Sequence, residues 1–139
     1  MTPYILDTDT LSLLQQGHPK VSQQCRSRSA NDLAITVISV EEQLTGWYTA
    51  LRKARRPDDL ARVYQRLAVT VPFLAQWSIL PFPTAAISRS QQLIGLRLNV
   101  GGKDLRIAAT VLEHGGTLVT RNTRDFSRVP GLVLEDWSI

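Results

Sequence analysis

Cysteine is nearly missing from this chain: among 139 residues there is one, Cys25, so no internal disulfide can form and no zinc-knuckle pattern exists. Histidine is almost as rare, with only His18 and His114, and neither has a partner at the spacing of a zinc site or a Cys–His pair. Long apolar runs are absent too, and none approaches the length needed to span a bilayer. The N-terminus reaches an acid at Asp7 after Met1-Thr2-Pro3-Tyr4-Ile5-Leu6, without a basic region followed by a long apolar stretch. The expectation is an intracellular, cytoplasmic protein with no membrane partner. There is no Gly-rich phosphate loop, since Gly101-Gly102-Lys103 lacks both the spacing and the terminal hydroxyl. Repeats and low-complexity tracts are lacking as well.

What remains is an ordinary globular composition, 43% hydrophobic and 20% charged, with 16 basic and 12 acidic residues. That length suits one domain, expected to span residues 1–139. The net charge of +4 favours a polyanionic partner without specifying one. Interest therefore falls on where the minority acids lie.

Short apolar runs alternate with amphipathic stretches, which predicts an α/β domain with a mostly parallel sheet of four to five strands. Strands are expected at Tyr4-Ile5-Leu6, Leu33-Ala34-Ile35-Thr36, residues 77–82, Thr117-Leu118-Val119-Thr120 and Leu132-Val133-Leu134. Helices are expected through Leu11, Leu13 and Leu14, over residues 21–29, after Ser39, from Pro57, over 84–98 and over 104–114. Leu44, Trp47, Tyr48 and Leu51 share one helical face, as do Leu60, Val63, Tyr64 and Leu67. These two stretches form an antiparallel hairpin, with the basic run Arg52-Lys53-Ala54-Arg55-Arg56 at its turn. Gly115-Gly116 sit where a helix C-terminus prefers them.

In an open parallel sheet, ligands bind beyond the carboxyl ends of the strands. Asp7 follows the first strand directly. Glu41 and Glu42 are expected in the first turn of the helix after the second strand. Asp104 opens the helix before the fourth strand, and Asp125 lies in the loop after that strand. Each alone can be read as a helix cap or a dipole partner. Capping does not require them all to lie at one edge of a sheet, however. Converging carboxylates raise one another's pKa unless a cation neutralises them. Mg²⁺ or Mn²⁺, hard ions that prefer oxygen, are the natural counterions, and such a site activates water against a phosphodiester.

On these residues the chain resembles the PIN-domain family, and within it the VapC-type toxins of bacterial toxin–antitoxin pairs. The matching pieces are Tyr4-Ile5-Leu6-Asp7-Thr8-Asp9, then Ile38-Ser39-Val40-Glu41-Glu42-Gln43-Leu44-Thr45-Gly46, then Asp104-Leu105-Arg106-Ile107-Ala108-Ala109. Leu118-Val119-Thr120-Arg121-Asn122-Thr123-Arg124-Asp125-Phe126 and the tail from Arg128-Val129-Pro130-Gly131-Leu132 to Glu135-Asp136-Trp137 complete them. The resemblance implies a three-layer α/β/α PIN-like fold and a Mg²⁺- or Mn²⁺-dependent endoribonuclease that hydrolyses RNA through metal-activated water. Its first, second and third acids map onto Asp7, Glu42 (rather than Glu41) and Asp104, which are the implied metal ligands.

Asn122 stands where many members place a fourth acid. Either Asp125 replaces that acid as a catalytic group, or Asn122 serves as a neutral ligand or water-orienting group. Asp9 replaces a common Asn and is expected in support, as are Thr8, Ser39 and Thr120. The implied partners are a VapB-like antitoxin that puts a cationic side chain into the acidic site, an RNA substrate, and a second copy in a homodimer, with the early helices as the expected interface. A receiver domain is excluded, because its phosphoacceptor Asp would end the third strand, where Leu80-Pro81-Phe82-Pro83 stands. The alternative left open is a catalytically weak PIN-like scaffold that binds RNA or protein. The preference for RNA over DNA comes from the resemblance alone.

Overall fold

The computed structural model of the protein describes residues 2–139. Five strands form one sheet in the order β3-β2-β1-β4-β5, and every neighbouring pair is parallel. They are β1 (Tyr4–Leu6), β2 (Leu33–Thr36), β3 (Ile79–Leu80), β4 (Thr117–Val119) and β5 (Val133–Glu135). Seven helices connect or flank them: α1 (Thr8–Gln15), α2 (Pro19–Arg26), α3 (Val37–Lys53), α4 (Pro57–Ala75), α5 (Thr84–Gly95), α6 (Gly102–Glu113) and α7 (Thr123–Phe126). A short 3₁₀ turn, Ala30–Asp32, leads into β2.

Strand alternation splits the core into two. Ile5, Ala34 and Leu118 face a cluster with Leu93 of α5, Leu105, Ile107 and Val111 of α6, and Phe126 of α7. Leu6, Leu33, Ile35 and Val119 face the other way, against Leu11, Val21, Leu74 and Trp137. Helices thus cover both faces, and the three-layer α/β/α expectation holds. The sheet has five strands, at the upper end of the four to five expected, and is wholly parallel.

The chain builds outward from β1 to β2 and β3, then returns to add β4 and β5 on β1's other side. The strand order therefore reverses between β1 and β4. A crevice opens beyond the carboxyl ends of those two strands, and such a switch point is where open α/β sheets bind ligands. Close packing on this central pair begins at Gly116, where a Cβ would come within 3.0 Å of both Ile5 Cδ1 and the Pro3 carbonyl. Gly115 beside it, at φ +59°, ends α6 in the left-handed region.

Several boundaries differ from the sequence expectations. α3 begins at Val37, because Thr36 caps it: its hydroxyl accepts the Ser39 N–H at 3.2 Å. Glu41 and Glu42 consequently lie in the second turn rather than the first. β3 is two residues long rather than six, since α4 persists to Ala75 through the internal Pro72, and Pro81 has no N–H to donate. α2 runs from Pro19 to Arg26 and does not reach Ser29. α5 stops at Gly95, with Arg97 and Asn99 at φ 54° and 60° turning the chain towards α6. Asp125 sits in the short helix α7, not in an irregular loop. The α3–α4 hairpin forms as expected, with residues 54–56 at its turn.

Candidate active site

Asp7 is the innermost acid, 5% exposed, and it leaves β1 at the switch point. It caps α1, accepting the Thr10 N–H at Oδ1 (2.8 Å), while Oδ2 accepts the Thr120 hydroxyl at 2.6 Å. Burial pushes its pKa up, and the bonds from Thr120 and the Thr10 backbone counter that only in part. The helix cap and the candidate functional acid are the same residue. Thr120, at the end of β4, in turn accepts the Asn122 N–H at 2.9 Å, so the two central strands are tied together at the site.

Glu42 enters from α3, half-buried. Its Oε1 accepts the Thr8 hydroxyl at 2.6 Å, and Thr8 exchanges a hydrogen bond with the buried Ser39 hydroxyl at 2.9 Å. Glu41, one residue earlier, is exposed and pairs with Lys103 Nζ at 2.5 Å outside the site. A helix places adjacent residues about 100° apart, so only one of the two acids can face the crevice; it is Glu42.

Asp104 comes from the first turn of α6 and is half-buried. Its pKa is raised to about 6, first by desolvation and then by the charges of Glu42, Asp7 and Asp125. Among the described residues, no cation side chain offsets this cost at Asp104. The site holds negative charge that the protein itself leaves unneutralised.

These side chains line a pocket of about 440 Å³ formed by Asp7, Thr8, Asp9, Ser12, Glu42, Asp104, Asn122 and Phe126. Asp9 stands at its exposed mouth, held by Arg121 at 2.9 Å. Asn122 caps α7 and faces the pocket, whereas Asp125 is not on its wall. Asp125 instead accepts the Asn122 amide at 3.0 Å and Arg128 Nη1 at 3.1 Å, reaching Asp104 only through its field. Ser12 and Phe126 on the pocket wall, and the pairs made by Lys103, Arg121 and Arg128, escaped the sequence reading. Only Ser12 carried a local signal, standing one helical turn after Thr8 on the same face of α1.

Among the described residues, no three His, Cys, Asp or Glu side chains stand at the spacing of a ready-made metal cage. The donor set nevertheless suits a hard cation that keeps several waters: four carboxylates line one pocket, Asp7, Glu42 and Asp104 inside it and Asp9 at its mouth, and a bound cation would lower the raised pKa of Asp104. Among the described residues, the pocket wall carries no His or Cys, the softer ligands that structural zinc sites favour.

A family model for the PIN domain matches residues 4–132, which contain every side chain of this pocket. The chain belongs to the PIN domain family. Among curated relatives, the tRNA(fMet)-specific endonuclease VapC of Salmonella typhimurium is 28% identical over 141 positions, covering 99% of both chains. Ribonuclease VapC2 of Rickettsia felis is 29% identical, over 96% of this chain and 97% of its own. Among solved structures of the family fold, DNA-bound VapBC from Salmonella typhimurium superposes with a TM-score of 0.80 at 25% identity, covering 99% of each chain. VapBC-1 from nontypeable Haemophilus influenzae shares the PIN fold with a TM-score of 0.77 at 18% identity, over 99% of this chain and all of its own.

Proposed function

We propose that this PIN domain is a Mg²⁺- or Mn²⁺-dependent endoribonuclease, the toxin of a VapBC-type pair, which inhibits translation and growth by cutting RNA. The observation that carries the reading is the convergence of Asp7, Glu42 and Asp104, from three distant segments, on one pocket at the switch point. Full-length similarity to curated ribonucleases of the same family supports it.

Asp7, Glu42 and Asp104 would hold the ion. When bound, it would supply a water of lowered pKa and neutralise charge developing on the phosphodiester. The chain's own groups do the rest. Thr120 fixes the Asp7 carboxylate through Oδ2 and Thr8 fixes Glu42 through Oε1, so neither acid needs to reorient when substrate arrives. Ser39 holds Thr8 in turn. Asn122, without a charge of its own, orients water or a phosphate oxygen at the pocket wall, and Asp125 holds its amide. Asp125 is thereby a supporting residue rather than a ligand. Arg121 keeps Asp9 at the mouth.

A VapB-like antitoxin, placing a cation among these acids, would silence the site by supplying the charge that the metal otherwise provides. VapBC assemblies are among the solved structures that share this fold, which supports such a partner. A homodimer completes the proposed assembly.

Expression without an antitoxin tests the toxin reading. The wild-type chain arrests growth, and Asp7→Asn, which preserves the helix cap, relieves the arrest. Equal growth with both proteins would favour a non-catalytic scaffold.

A further inference from the structure

A second and larger cavity, of about 910 Å³, adjoins the acidic pocket and shares Thr8, Ser12 and Glu42 with it. It runs between α1, α3 and α4. Among the described residues, Glu42 is the only acid on its walls, and that side chain sits at the shared end. Away from the pocket the charge reverses, because α4 contributes Arg62 and Arg66, one helical turn apart on the same face. Arg66 has no ion-pair partner among the described residues, and Arg62 has only Asp59 on its own helix, at 3.2 Å and well exposed. Such an exposed pair holds its cation weakly and yields to a competing anion.

The wall between the arginines and the pocket is built in advance. Trp47, half-buried, donates from Nε1 to Thr70 Oγ1 at 2.9 Å, and the Thr70 hydroxyl donates to the Arg66 carbonyl at 2.7 Å. This chain of bonds fixes the indole of α3 against α4 beside the arginine backbone. An aromatic wall followed by cations along a groove is the arrangement that tracks single-stranded nucleic acid, with bases on the ring and phosphates on the cations.

We propose that this groove is a substrate subsite. It binds the single-stranded RNA flanking the scissile phosphate, with backbone phosphates on Arg62 and Arg66 and a base against Trp47. The proposal rests on the metal-nuclease reading above. An acidic peptide would also meet the arginines, but RNA is favoured by continuity: a strand whose phosphate occupies the acidic pocket has this groove as its adjoining exit. The four-residue step from Arg62 to Arg66 rises about 6 Å along the helix, close to the reach of one nucleotide.

The test is steady-state cleavage of a short unstructured RNA oligonucleotide with Mn²⁺, comparing wild type, the double variant Arg62→Gln/Arg66→Gln and the charge-keeping Arg62→Lys/Arg66→Lys. The glutamine variant is expected to raise KM about tenfold with kcat nearly unchanged. It should also lower the salt dependence of kcat/KM by about 0.7 for each phosphate that the protein no longer neutralises. The lysine variant recovers most of both, which a packing defect would not allow. Mn²⁺ affinity and melting temperature stay at the wild-type values in both. Wild-type cleavage with an unaltered KM and salt slope in the glutamine variant would overturn the subsite while leaving the nuclease intact. So would a variant that cleaves RNA normally but fails to bind an antitoxin, since the groove would then be a protein dock. A wild-type protein that cuts no RNA would refute the nuclease reading, and the subsite with it.

Discussion

Two regions of this molecule place charge beside buried surface, and they handle it in opposite ways. Just beyond the end of α2, the Arg28 guanidinium lies over two touching rings, 4.6 Å from the Tyr4 centroid and 4.3 Å from that of Trp137. It donates to the Gln24 carbonyl at 3.0 Å and stands 3.9 Å from Glu135, whose Oε1 also accepts the Trp137 indole N–H at 2.9 Å. Every charge there has an opposite charge, a π face or a hydrogen-bond partner. At the switch point, Asp7, Glu42 and Asp104 have hydroxyl or backbone partners at most, and no cation among the described residues. The first arrangement binds the C-terminal tail to β1. The second stores repulsion that an added cation would relieve. Compensated charge marks the part of the fold that holds itself together, and uncompensated charge marks the part that waits for something to bind.

This contrast can be broken by substitution. The largest effect is expected for Asp104→Asn, which should lower RNA cleavage on the order of a thousandfold, as expected when metal-borne charge stabilisation is removed. The same variant should be the more stable protein when no metal is present. The folded pKa of Asp104, at about 6, lies above its unfolded value, so the folded state holds the extra proton between the two. Stability therefore falls as pH rises from about 4 through 6. Relative to wild type, the variant should gain a few degrees in melting temperature at neutral pH and nothing near pH 4. Melting curves in EDTA across that range check it.

Trp137→Ala should do the reverse. Removing a 3%-exposed indole costs about 3–5 kcal/mol in urea denaturation, while kcat per folded molecule stays unchanged. Arg28→Gln removes the guanidinium but little packing, and a cost of about 1–2 kcal/mol should appear in the same assay. Smallest of all is Glu41→Gln. It breaks only the exposed pair with Lys103, so stability should shift by less than about 1 kcal/mol and cleavage should hold, in contrast to Glu42→Gln.

The site was more legible in the sequence than the edges of the fold. Asp7, Glu42 and Asp104 each follow or precede a strongly patterned element, so strand-end logic and family resemblance found them together. Asp125 was misplaced, because three residues decide its orientation: Asn122 and Arg128, which hold it, and Thr120, which anchors Asn122. No periodicity reports such a network. The helix was expected only after Ser39, because Val37, Ile38 and Val40 are β-branched and poor helix formers, and the Thr36 cap that starts α3 at Val37 leaves no periodic signal. β3 came out longer in the reading than in the fold because an edge strand extends only as far as its single neighbour pairs with it, here Ile35 and Thr36 of β2. The groove between α1, α3 and α4 showed no motif; Arg62 and Arg66 acquire meaning only when α4 is laid beside α3 and α1.

Cleavage of total RNA by purified, antitoxin-free protein tests the central claim most directly, run with Mg²⁺, with Mn²⁺ and with EDTA beside Asp7→Asn. Discrete cuts that need the metal and vanish in the variant are the predicted result. Wild type and variant behaving alike under all three conditions would contradict it, and would leave the acidic pocket as part of a binding scaffold.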